Sequence, residues 1–164
     1  MKEIKFRAWD KKRKMMVTVD ELLNLWSQYS DDSPLKTIPF VTVVNQRIGK
    51  DLQLIVGKDC DLLQFTGLHD KEGKEIYEGD ILDTCYGKGV VKLGIVRIDD
   101  NEGYADNLIS GFYFEGPNEN ISKKHLGDII DGVEPPEIIG NIWEDSHLLG
   151  DSHIWENKEL LESD

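Results

Sequence analysis

A chain of 164 residues fits one domain, or one domain with an appendage, and a chain this long buries roughly 68–70% of its unfolded surface. With 39% hydrophobic and 31% charged residues it has an ordinary globular balance, and no apolar run approaches the roughly 20 residues of a membrane-spanning helix. The net charge of −13 is lopsided: residues 1–98 hold 16 Lys+Arg against 15 Asp+Glu, whereas residues 99–164 hold 3 against 17. A field of that sign repels polyanions, so direct binding of duplex DNA is not expected.

The N-terminus, Met1-Lys2-Glu3-Ile4, runs into charged residues without an apolar signal core, which points to the cytoplasm and to two reduced thiols, Cys60 and Cys85. From Lys2 to Trp9 the residues alternate, with Ile4, Phe6 and Ala8 on one face and Lys5, Arg7 and Trp9 on the other, the pattern of a strand. Asp10 to Lys14 is a turn, and Met15 to Val19 returns as a second strand. Asp20 has the chemistry of an N-cap for a short helix over Glu21 to Gln28, where Leu22, Leu23, Leu25 and Trp26 form an apolar stripe. Ile38 to Ile48 is β-branched and reads as a strand, with Pro39 arguing for an edge or an irregular start. Leu52 to Val56 and Asp61 to Phe65 are expected strands on either side of a Gly57-Lys58-Asp59 turn.

Gln64 to Leu82, QFTGLHDKEGKEIYEGDIL, carries the most information. It predicts a strand ending after Phe65, a polar and exposed turn over His69 to Gly73, and a further strand through Ile76 and Tyr77. A tight Glu78-Gly79-Asp80 corner then leads into Ile81-Leu82. Gly67, Gly73 and Gly79 supply the backbone freedom for three close reversals. Ile81 to Tyr86 and Gly89 to Asp99 are expected core strands, with Val90, Val91, Leu93, Ile95, Val96 and Ile98 as their apolar side chains. Leu108 to Glu115 is another strand, Asn118 to Pro136 a loop with one helical turn, and Ile138 to Trp143 closes the sheet. Residues 151–164 are a short terminal helix or a tail.

Three stretches together carry a family resemblance: IKFRAWDKKRKMM (Ile4 to Met16), the Gln64 to Leu82 segment, and IIGNIWEDSHLL (Ile138 to Leu149). In this order they resemble the YopX family, small proteins found mostly in bacteriophages and prophages. The resemblance implies an α+β, mainly β fold: a small SH3-type β-barrel or bent antiparallel sheet with one or two short helices. It implies a single family domain over residues 1–149, with 150–164 as an appendage, and attaches no established biochemical activity to it. The residues that carry it are Gly67, Gly73, Tyr77, Gly79, Asp80, Gly140 and Asn141, all of them expected to be structural.

Catalytic signatures are weak by comparison. His69, His125, His147 and His153 sit in separate loops at no common zinc spacing, so neither a metal nor another cofactor is expected. Asp99-Asp100-Asn101-Glu102-Gly103 has the opening of a calcium loop, but Ser110 stands where the twelfth-position Glu belongs, and a hairpin turn explains the same residues. Asp80 accepts backbone N–H groups at its corner in the structural reading and acts as a general base in the catalytic one. Lys11-Lys12-Arg13-Lys14 is a solvated turn in preference to a nucleic-acid contact. Trp9, Trp26, Trp143 and Trp155 suit a core or interface better than base stacking.

The function these observations favour is a phage or prophage accessory protein in the bacterial host cytoplasm: a non-enzymatic binding or regulatory module contacting a host or phage protein with a basic face. A homo-oligomer joined through strand edges is expected as well. The alternative is a hydrolase or nucleotide-modifying enzyme using the loop carboxylates Asp80 and Asp99. Convergence of carboxylates in one concave pocket is the feature that would speak for it.

Overall fold

The computed structural model describes residues 4–25, 38–45, 50–98, 107–116, 123–132 and 134–150. The fold is α+β and mainly β, with every paired strand antiparallel. The chain divides into two compact units, residues 1–64 and 65–164.

In the first unit the strands are β1 (Phe6–Asp10), β2 (Met15–Leu25), β3 (Ile38–Asn45), β4 (Lys50–Ile55) and the first half of β5 (Cys60–His69). Their order is β4-β3-β2-β1-β5. Ala8, Val17, Leu54 and Cys60 are its buried core, flanked by Met15, Val19, Val56 and Leu62. Alternation in β1 brings Ala8 inward as expected, while Ile4 precedes the strand and is exposed. Trp9, on the opposite face from Ala8, is buried too, so β1 is covered on both sides at that point.

The helix expected over Glu21 to Gln28 is not formed through Leu25, and Asp20, expected to begin it, lies within β2. That stretch continues β2 past a bulge between Val19 and Glu21, with Leu22 opposite Val41, Leu23 opposite Phe40 and Leu25 opposite Ile38. A helix of eight residues is marginal by itself, and a β-branched strand alongside offers a full ladder of hydrogen bonds in its place. Trp26 to Gln28 lie outside the described residues. The expected edge character of the Pro39 strand is also corrected: β3 lies between β2 and β4. Proline is tolerated there because it occupies the second residue of the strand, where one missing donor costs the ladder least.

The second unit begins with the end of β5, which pairs with β6 (Glu75–Tyr77), Phe65 opposite Tyr77 and His69 opposite Glu75. Its main sheet holds β7 (Asp80–Thr84), β8 (Gly87–Ile98), β9 (Asn107–Glu115), β10 (Lys123–His125) and β11 (Glu137–Asn141), in the order β10-β9-β8-β7-β11. One five-residue helix, α1 (Leu126–Ile130), follows β10, and a 3-10 turn spans Ser146–Leu149. The expected helical turn within the loop from Asn118 to Pro136 is therefore present, with a short strand before it.

Ile76, Leu82, Val91, Phe114, Leu126 and Ile129 form one core of this unit, and Ile81, Val90 and Leu149 a second. Of the apolar residues expected in the core from β8, Val90, Val91 and Val96 are buried, but Leu93 and Ile95 are exposed at 43% and 72%. The reason is geometric. β7 pairs with β8 only over Gly87 to Val90, and β10 with β9 only over Tyr113 to Glu115. The rest of the β8–β9 hairpin is a two-stranded ribbon whose Leu93, Ile95 and Leu108 share one face and meet water.

Candidate functional site

From Phe65 to Leu82 the first motif, and from Ile138 to Leu149 the second, lie in the second unit, where they meet. Gly79 sits at φ +78°, between a hydrogen bond from its N–H to Val91 O (2.8 Å) and one to its carbonyl from Ile142 N–H (3.0 Å). A Cβ on Gly79 would collide with the six-membered ring of Trp143. The indole thus lies against bare backbone, and only glycine leaves room for it while tolerating that φ. Asp80, almost fully buried, accepts the Tyr77 N–H with Oδ2 at 2.8 Å and so ties the corner to β6. Gly67 and Gly73 also hold positive φ, 83° and 82°.

Asn141 builds the partner turn. Its Oδ1 accepts the N–H groups of Trp143 (3.1 Å) and Glu144 (3.0 Å), and its amide donates to Glu144 Oε2 at 2.7 Å. Asp145 Oδ2 accepts the Asn141 N–H at 3.1 Å, and a Cβ on Gly140 would lie 2.5 Å from that oxygen. Gly140 is required because the Asp145 carboxylate occupies the space of its side chain. The motif residues hold two reversals together.

Asp70 corrects the expectation of an exposed turn. It is 7% exposed and accepts backbone N–H groups of Glu72 (2.9 Å), Lys74 (2.9 Å) and, 68 residues away, Ile138 (3.3 Å). Burial alone would raise its pKa. The backbone donors of Lys74, Ile138 and Glu72 and the nearby Lys74 charge outweigh that and hold it below the ordinary value. Lys71 N–H to Pro136 O (3.0 Å) and the Lys71–Glu137 ion pair (2.5 Å) complete the attachment of this loop to β11.

Beside that attachment lies an open groove of about 510 Å³, lined by Lys71, Asp83, Thr84, Cys85, Glu134, Pro135 and Glu137. Lys71 is engaged by Glu137, and Asp83 and Glu134 are exposed, so the charged residues lining the groove are net negative. Thr84 is held by its own turn, donating to Gly87 O at 2.8 Å and accepting from Tyr86 N–H at 3.0 Å. Three carboxylates do converge here, but they are not the expected pair. Asp80 is committed to the corner, and Asp99 lies outside the described residues, as do Asp100 to Gly103 and His153.

Elsewhere the charged candidates are absorbed by structure. Lys11 to Lys14 form the turn between β1 and β2, where Lys11 pairs with Asp61 (2.9 Å) and Arg13 with buried Asp10 (2.7 Å). His125 caps α1, its Nδ1 accepting the Gly127 N–H at 3.1 Å. His69 packs edge-on against Phe65. Among the described residues no three His, Cys, Asp or Glu side chains are placed to share a metal ion, and no helix is long and apolar enough to cross a membrane. Cys60 is buried and Cys85 exposed, both as free thiols.

The YopX family model, described as YopX protein, matches residues 5–150, and the chain belongs to that family. The match runs through both units and takes in all seven motif residues. No curated protein matches the chain significantly. Among solved structures, it is similar to that of protein EF1440 from Enterococcus faecalis, at 23% identity over 99% of this chain and 100% of that one, with a TM-score of 0.40.

Sequence reasoning missed Trp143 and Asp145 as the partners of Gly79 and Gly140. An Asn followed at three and four residues by Glu and Asp is a turn-forming pattern that could have indicated them. It also missed the groove, whose residues come from three separate places in the chain with no spacing to mark them.

Proposed function

We propose that this protein is a phage or prophage accessory protein that works by binding, in the cytoplasm of its bacterial host, and that its partner is a host or phage protein presenting a basic face. The observation that supports this most is the negative groove beside β11. Its lining includes the exposed carboxylates of Asp83 and Glu134, suited to receiving a hydrated Lys or Arg side chain. We read both units as parts of one domain over residues 1–149, built around a bent sheet of the SH3 type, with residues 150–164 appended. A homo-oligomer belongs to the same reading. The outer strands of the second unit do not favour the expected edge-to-edge contact, since β10 has three residues and two N–H groups of β11 are taken by Asp70 and Asp145, so this part of the reading rests on the sequence expectation.

Affinity capture from infected or lysogenic cells, with wild type beside an Asp83→Asn, Glu134→Gln double variant, tests the reading. A basic protein retained by wild type and lost from the variant is expected. Equal capture by both removes the groove from the function.

Convergence of Asp83, Glu134 and Glu137 beside Cys85 favours one second reading, a hydrolase or nucleotide-modifying enzyme acting in this groove. Turnover of phosphoester or nucleotide substrates by wild type, abolished in the same double variant, would establish it over the first.

A further inference from the structure

We draw no further inference here: the strongest candidate, the exposed apolar face of the β8–β9 ribbon formed by Leu93, Ile95 and Leu108, carries no proposal because nothing in the structure shows what covers it.

Discussion

Gly79 holds a positive φ with the Trp143 ring occupying the place of a side chain, so Gly79→Val meets two separate obstacles. Backbone strain and displacement of the indole together are expected to cost about 3 kcal/mol or more. A thermal melt should show a fall of roughly 6–12 °C for a chain of this size, and a melting temperature equal to wild type would refute the packing argument. Asp70→Ala is expected to be nearly as harmful, about 2–4 kcal/mol, because three backbone donors lose their acceptor in a buried setting. The pH dependence has a definite sign. Asp70 has a folded-state pKa below its ordinary 3.8, so its contribution is present above that value and is lost as pH falls through the folded one. Melts from about pH 5 down to pH 2 should therefore be steeper for wild type than for Asp70→Asn, and parallel curves would contradict this. The two cysteines should differ as well. Burial, with Asp61, Asp59 and Asp10 nearby, pushes the Cys60 thiol up to about 11. A thiol reagent at about pH 8 should label Cys85 alone in the folded protein and both after denaturation. Rapid labelling of native Cys60 would overturn it.

At the scale of elements, β11 and the turn after it depend on side chains more than on their own propensity. Two of the N–H groups of β11 are received by Asp70 and Asp145, and Asn141 shapes the turn that seats Trp143 on Gly79. Asn141→Ala removes an acceptor of two backbone N–H groups at a nearly buried position and is expected to cost about 1–3 kcal/mol. Chemical denaturation should show that loss with an unchanged m-value, and a shifted m-value would mean that the effect lies in the denatured state. The Glu21 to Leu25 stretch shows the limit of local reasoning in the other direction. Its leucines satisfy a helical stripe, yet they pair along β3, because three apolar residues in sequence fit either period when the segment is short. The β8–β9 ribbon is the third case. Its alternation is correct for a strand, but which face is covered depends on neighbours that end early.

For the whole molecule the charge distribution governs encounters. Residues 99–164 carry 17 acidic against 3 basic side chains, and the basic Lys11 to Lys14 cluster spends two of its cations on Asp61 and Asp10. Fluorescence anisotropy with a generic duplex at physiological salt should therefore show no binding. Association with a basic partner should weaken steeply with added salt, since exposed charges are screened within about 8 Å at 0.15 M. Tight duplex binding would shift attention to Lys12 and Lys14, the exposed pair of that turn.

The mainly β class, most of the strands and the family were legible in the chain, because alternation, glycine corners and the three signature stretches are local properties that survive in one dimension. Gly79 and Asp80 are expected to be structural from the chemistry of their corner, and Asn141 from the family resemblance. What filled the space beside Gly79, which carboxylates share a groove, and that Asp70 is buried and not exposed were decided only in three dimensions. Each depends on residues tens of positions apart, such as Asp70 with Ile138 or Asp83 with Glu134, whose meeting follows from strand order and register. Strand pairing is a non-local choice, fixed by the burial of whole faces, and no spacing along the chain encodes it.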